Sequence, residues 1–87
     1  MVRVRLSAGL TGRGAPPEIE VEAATVRAAL ERLVAAAPHL RERVFAANGG
    51  FAAAVFVNGV SAKRLGGMDA PLADGDTVAV LPPIAGG

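Results

Sequence analysis

Hydrophobic and polar positions alternate from the second residue: Val2, Val4 and Leu6 are separated by Arg3, Arg5 and Ser7. A period of two puts one set on each face of a strand, so this segment predicts a half-buried β-strand. Residues 9–17 are rich in Gly and Pro and read as a loop. Ile19 and Val21 then alternate with Glu18, Glu20 and Glu22, a second strand with an acidic outer face. If the two pair as a hairpin, the arginines of one face the glutamates of the other. Exposed pairs of that kind contribute about 0.2–1 kcal/mol each, enough to favour a register.

The period then changes. Val26, Leu30, Leu33, Val34 and Ala37 fall on one helical stripe, with Arg27, Glu31 and Arg32 off it. Thr25 is suited to cap this helix and Pro38 to stop it. Burying the four larger side chains is worth roughly 6–12 kcal/mol, comparable to the whole net stability of a small domain. Leu40 to Ala46 predicts a short second helical piece, and Asn48-Gly49-Gly50 a mobile loop. Ala53 to Val57 is a near-continuous apolar strand closing on the turn pair Asn58-Gly59. Ser61 to Leu65 is expected as a short edge strand, followed by an irregular stretch to the tight turn Asp74-Gly75-Asp76. Thr77 to Leu81, rich in β-branched residues, is the last strand. One helix covering one face of a mixed sheet of four to five strands predicts an α+β roll. Residues 1–81 form its single domain and 82–87 an extended tail. Phe56 has two readings: it fills the sheet–helix core, or Val55 and Val57 point inward and Phe56 joins Leu81 in an apolar patch on the open face.

Composition narrows the function. At 87 residues, 52% of them hydrophobic, the chain is one small folded domain. No apolar run reaches the roughly 18 residues of a membrane span, and the alternating N-terminus is unlike an export signal. A cytoplasmic location and no membrane partner are expected. Nine basic and eight acidic residues nearly cancel, with three phenylalanines as the only aromatics, so no nucleic-acid footprint is visible. There is no cysteine, hence no disulfide, thiolate metal site or thiol nucleophile. His39 reads as a solvated turn residue, and Asp69, Asp74 and Asp76 as turn residues bonding their own backbone. No metal site, resident cofactor or nucleophile–base pair can be assembled, so an independent enzyme is not expected.

The C-terminus carries the chemistry instead. Leu81-Pro82-Pro83-Ile84-Ala85 delivers Gly86-Gly87. The prolines hold the chain extended and donate no ladder bonds. Two residues without side chains let the terminal carboxylate enter a narrow channel. Six residues from Pro82 reach roughly 20 Å when extended.

These elements and this tail resemble the MoaD/ThiS family of ubiquitin-like sulfur carriers, which adopt the β-grasp fold. The specific parts are Thr25-Val26, Val57-Asn58-Gly59, Gly67 to Leu72, and above all Asp74-Gly75-Asp76-Thr77-Val78 followed by Leu81 to Gly87. The double proline and Pro71-Leu72 look more like the MoaD branch. Leu81 stands where many such members carry phenylalanine, and Phe45–Gly50 lengthens the chain. The resemblance implies that a ubiquitin-activating-type adenylyltransferase binds the globule through Phe56, Leu81, Pro82, Pro83, Ile84 and Ala85. With its own ATP it adenylates Gly87, Gly86 keeping the approach unhindered. A persulfide donor protein then leaves a thiocarboxylate on Gly87 for a sulfur-acceptor synthase subunit, with a molybdopterin precursor as the expected acceptor. Carriers for cysteine or thio-natural-product synthesis, a modifier attached to lysines, and a binding module with an inert tail are the alternatives.

Overall fold

The computed structural model describes residues 1–7, 9 and 17–83. Strand β1 (Val2–Leu6) pairs antiparallel with β2 (Glu18–Val21) in the register Arg3↔Glu20 and Arg5↔Glu18. The sequence expectation of facing opposite charges holds. Arg3 Nε lies 3.2 Å and Arg5 Nε 3.6 Å from the Glu18 carboxylate, while Arg3 Nη2 is 4.0 Å from Glu20. Helix α1 (Val26–Ala36) follows. Thr25 is extended there and its Oγ1 accepts from the Ala28 N–H at 3.2 Å, which satisfies one of the N–H groups a helix start leaves without a partner. At the other end Pro38 opens a 3-10 turn, Pro38–Leu40, leading into the short helix α2 (Arg41–Val44). These two pieces are the short helical stretch expected at Leu40–Ala46. The loop at Asn48–Gly50 is a closed turn, with Ala46 N–H donating to Gly50 at 2.8 Å and Gly50 N–H donating to the Asn48 side chain at 2.8 Å.

Strand β3 (Ala54–Val57) turns at Asn58 and Gly59, both with positive φ, into β4 (Val60–Ser61). Asn and Gly tolerate that conformation better than other residues, which is why this pair makes a tight hairpin. The edge strand expected over Ser61–Leu65 is corrected: pairing stops at Ser61 and Ala62–Leu65 is a 3-10 turn. The turn drives Ala62 fully into the core, and Gly66 (φ 116°) ends it in a backbone conformation that side chains disfavour. A second 3-10 turn, Gly67–Asp69, buries Met68. Strand β5 (Thr77–Leu81) lies parallel to β1 and antiparallel to β3, so the five-stranded sheet has the order β2-β1-β5-β3-β4.

One face of this sheet carries Val2, Val4, Leu6, Val55, Val57, Val78 and Val80, all buried against Val26, Leu30, Leu33 and Val34 of α1. The expected helix stripe is the observed one, with Ala29 added. Leu40 and Val44 close the core beyond α1. The opposite face of the sheet is turned away from α1.

Candidate functional site

The open face is divided along the β1–β5 boundary. On β2 and β1 it shows Glu18, Glu20, Arg3 and Arg5. On β5 and β3 the in-register pairs are Phe56↔Ala79 and Ala54↔Leu81, all four apolar. Val55 and Val57 are buried and Phe56 is half-buried. Alternation therefore decides between the two readings of Phe56: it belongs to the open face. Leu81 beside it is 37% exposed. The alternation that sets Phe56 and Leu81 outward also sets Ala54 and Ala79 outward, though the sequence does not say which of them are neighbours. Only the β3–β5 register brings them between Phe56 and Leu81.

The patch is continuous with the root of the tail. Pro82 and Pro83 are exposed and leave the sheet directly after Leu81. Pro83 forms one wall of a groove of about 320 Å³ whose other walls include Phe51, Ala53, Phe56, Ser61 and Lys63. On the other side the tail root meets Gly9, where a Cβ would come within 3.2 Å of Pro82 Cγ. The remaining expected site residues, Ile84, Ala85, Gly86 and Gly87, lie outside the described residues.

The three turn aspartates are each engaged structurally. Asp69 pairs with Arg27, and Asp74 with the Met1 ammonium. Asp76 accepts from the Ala73 N–H at 2.8 Å and from Asn58 Nδ2 at 3.0 Å. Those two bonds, the backbone one first, hold its carboxyl below the ordinary aspartate range. Asn58 Oδ1 in turn accepts from the Thr77 N–H at 3.0 Å, so the β3–β4 turn is pinned to the start of β5. Among the described residues no group of three His, Cys, Asp or Glu is placed to hold a metal ion. His39 is exposed in its 3-10 turn. No helix among them is long and apolar enough to cross a membrane.

A mixed five-stranded sheet with one main helix on a single face and an exposed C-terminal strand end is the β-grasp arrangement of ubiquitin-like proteins. Residues 11–87 match the ThiS family, and the chain belongs to that family. Its relatives are small sulfur carriers and ubiquitin-like modifiers rather than enzymes. Small archaeal modifier protein 1 from Methanosarcina acetivorans superposes with a TM-score of 0.83 at 27% identity, over 99% of this chain and 95% of that one. The BexX/CysO complex of Amycolatopsis orientalis contributes a chain with a TM-score of 0.81 at 26% identity, each chain covered in full. Small archaeal modifier protein 1 from Haloferax volcanii gives 0.80 at 32% identity, over 99% and 98%. Curated protein sequences yield no match.

Proposed function

We propose that this chain carries sulfur on its last residue and presents it to partner proteins through the apolar half of the open sheet face. The observation that carries the reading is the continuity of that patch with the tail root: Ala54, Phe56, Ala79 and Leu81 lead directly into Pro82-Pro83. A partner seated on the patch receives the tail in the same encounter. With the globule ending at Leu81, residues 82–87 are the arm that enters the partner. A ubiquitin-activating-type adenylyltransferase then joins the Gly87 carboxylate to AMP from ATP, releasing pyrophosphate. A carboxylate is a poor electrophile, and the acyl-adenylate provides a leaving group. The terminal sulfur of a persulfide donor protein attacks the Gly87 carbonyl carbon and AMP departs. Reductive cleavage of the acyl disulfide by a thiol leaves the thiocarboxylate. Gly86 and Gly87 keep the reacting carbon unhindered, where a misplacement of about 1 Å costs on the order of a hundredfold in rate.

A molybdopterin precursor, met through the large subunit of its synthase, is the acceptor that the Pro71-Leu72 and Pro82-Pro83 pattern favours. Cysteine or thio-natural-product synthesis would use the same thiocarboxylate. A second reading, attachment of Gly87 to target lysines, is supported by the similarity to two modifier proteins at 27% and 32% identity. Intact-protein mass spectrometry after incubation with an activating enzyme, ATP and a sulfur donor distinguishes these. Replacement of one oxygen by sulfur at Gly87 is the expected result. Lysine-linked conjugates without that product would favour the modifier, and no ATP-dependent change would leave a binding module with an inert tail. Deleting Gly87 is expected to abolish loading while the thermal transition stays in place; a truncated chain that still gained sulfur would sink the proposal.

A further inference from the structure

The chain contains a single lysine, Lys63, and the fold brings it to the root of the tail. Its 3-10 turn follows β4, whose Ser61 stands opposite Phe56, itself opposite Ala79 of β5. Two strand spacings, about 10 Å, therefore separate Ser61 from Ala79. Strands β4 and β5 both run antiparallel to β3, so the chain after Ser61 heads toward the end of the sheet from which the tail leaves. Lys63 and Pro83 accordingly line the same groove. Four residues separate Pro83 from the carboxylate of Gly87, a reach of about 13 Å. Lys63 is exposed, and none of the ion pairs found among the described residues includes it. The other primary amine of the chain, at Met1, is held by Asp74, in the turn that precedes β5. That is the opposite end of the strand from the tail, about 16 Å away along a five-residue rise.

We propose that Lys63 is an intramolecular acceptor for the activated C-terminus, closing the chain on itself by an isopeptide bond. The inference rests on the activation of Gly87 proposed above. The Nζ lone pair attacks the Gly87 carbonyl carbon, the bond to the leaving group breaks, and AMP departs with the electron pair. Nζ gives one proton to solvent. No oxidation state changes, and the product is one water lighter than the free chain. A tail this short holds its end at a concentration in the mM range around Lys63, above that of a second copy in a dilute solution. Ring closure therefore belongs to the activated chain once it has left the partner, because a docked partner keeps tail and groove apart. The apolar patch, whose Phe56 also walls the groove, is placed to let a docked partner do so.

The test bypasses the activating enzyme. The full chain is prepared with Gly87 as the thioester of 2-mercaptoethanesulfonate, by thiolysis of an intein fusion, and followed at low protein concentration by intact mass and peptide mapping. The expected product is a monomer one water lighter than the free acid, linked Gly87 to Lys63. Thioester loss should be on the order of tenfold faster than in the Lys63→Arg chain, given an amine held in the mM range. Circular dichroism would establish that Lys63→Arg keeps the fold. Hydrolysis at equal rates in both chains overturns the proposal, as does ring closure that persists in Lys63→Arg through Met1, or a dimer as the main product. Failure of Gly87 adenylation by activating enzymes would count against the carrier reading and leave this result standing by itself.

Discussion

The two halves of the open sheet face share one sheet and the same helix behind them, yet they solve different problems. On β1 and β2, Arg3 and Arg5 stand opposite Glu20 and Glu18, with Glu18 serving both arginines at 3.2 and 3.6 Å. This half remains satisfied in water and fixes the hairpin register. On β5 and β3, Ala79, Leu81, Ala54 and Phe56 leave apolar surface open where the tail begins. Apolar area left on a small domain forfeits about 25 cal/mol for each Å² that burial would have gained. The proposed function gives the two halves different roles: the charged half is satisfied within the sheet, and the apolar half is the surface a partner would cover.

The largest effect is expected beneath both halves. Leu30 is fully buried, and Leu30→Ala should cost about 2–5 kcal/mol in chemical denaturation. An unchanged midpoint would show that α1 does not support the sheet. Next, Leu81→Asp puts a charge in the apolar half and should weaken binding to the activating enzyme at least about tenfold, or 1.4 kcal/mol. Stability of the free chain should stay within about 0.5 kcal/mol, since the site is exposed. Equal affinity by calorimetry would remove β5 from the interface.

Breaking the charged half should matter less. Glu18→Ala removes the carboxylate shared by Arg3 and Arg5 and should cost no more than about 1 kcal/mol, vanishing at high salt. A similar loss of partner affinity in this variant would mean that the two halves are not functionally distinct. The smallest effect belongs to Asp76, whose carboxyl is held low by the Ala73 N–H and by Asn58. Its charged form is favoured in the fold, so its contribution is present above the unfolded aspartate pKa of about 3.9 and is lost as pH falls through the lower folded value. Asp76→Asn should flatten the acid limb of a stability–pH curve; an unaltered limb would remove that link between the turn and β5.

Much of the fold was legible because the local pattern and the global packing agree. The alternation of Val2, Val4 and Leu6 with arginines, and the Val26–Ala37 stripe, each name their own buried face. The segment after Ser61 differs from the expected strand because Lys63, Arg64 and Leu65 carry no period, and the buried Ala62 opens a 3-10 turn there instead. For Phe56 the run Ala53–Val57 is apolar throughout, and a run without alternation does not name its inward face.

The sequence by itself determined the long strands and the main helix, the cap at Thr25, the hairpin pair Asn58-Gly59, and a tail of prolines and glycines, because these depend on neighbours a few residues apart. Tertiary structure alone decided that β5 lies between β1 and β3. It likewise decided that Phe56 faces outward beside Leu81, and that the single lysine shares a groove with Pro83. Each of those follows from strand register between segments distant in the chain. A shift of one residue there exchanges the two faces, and no local pattern records it.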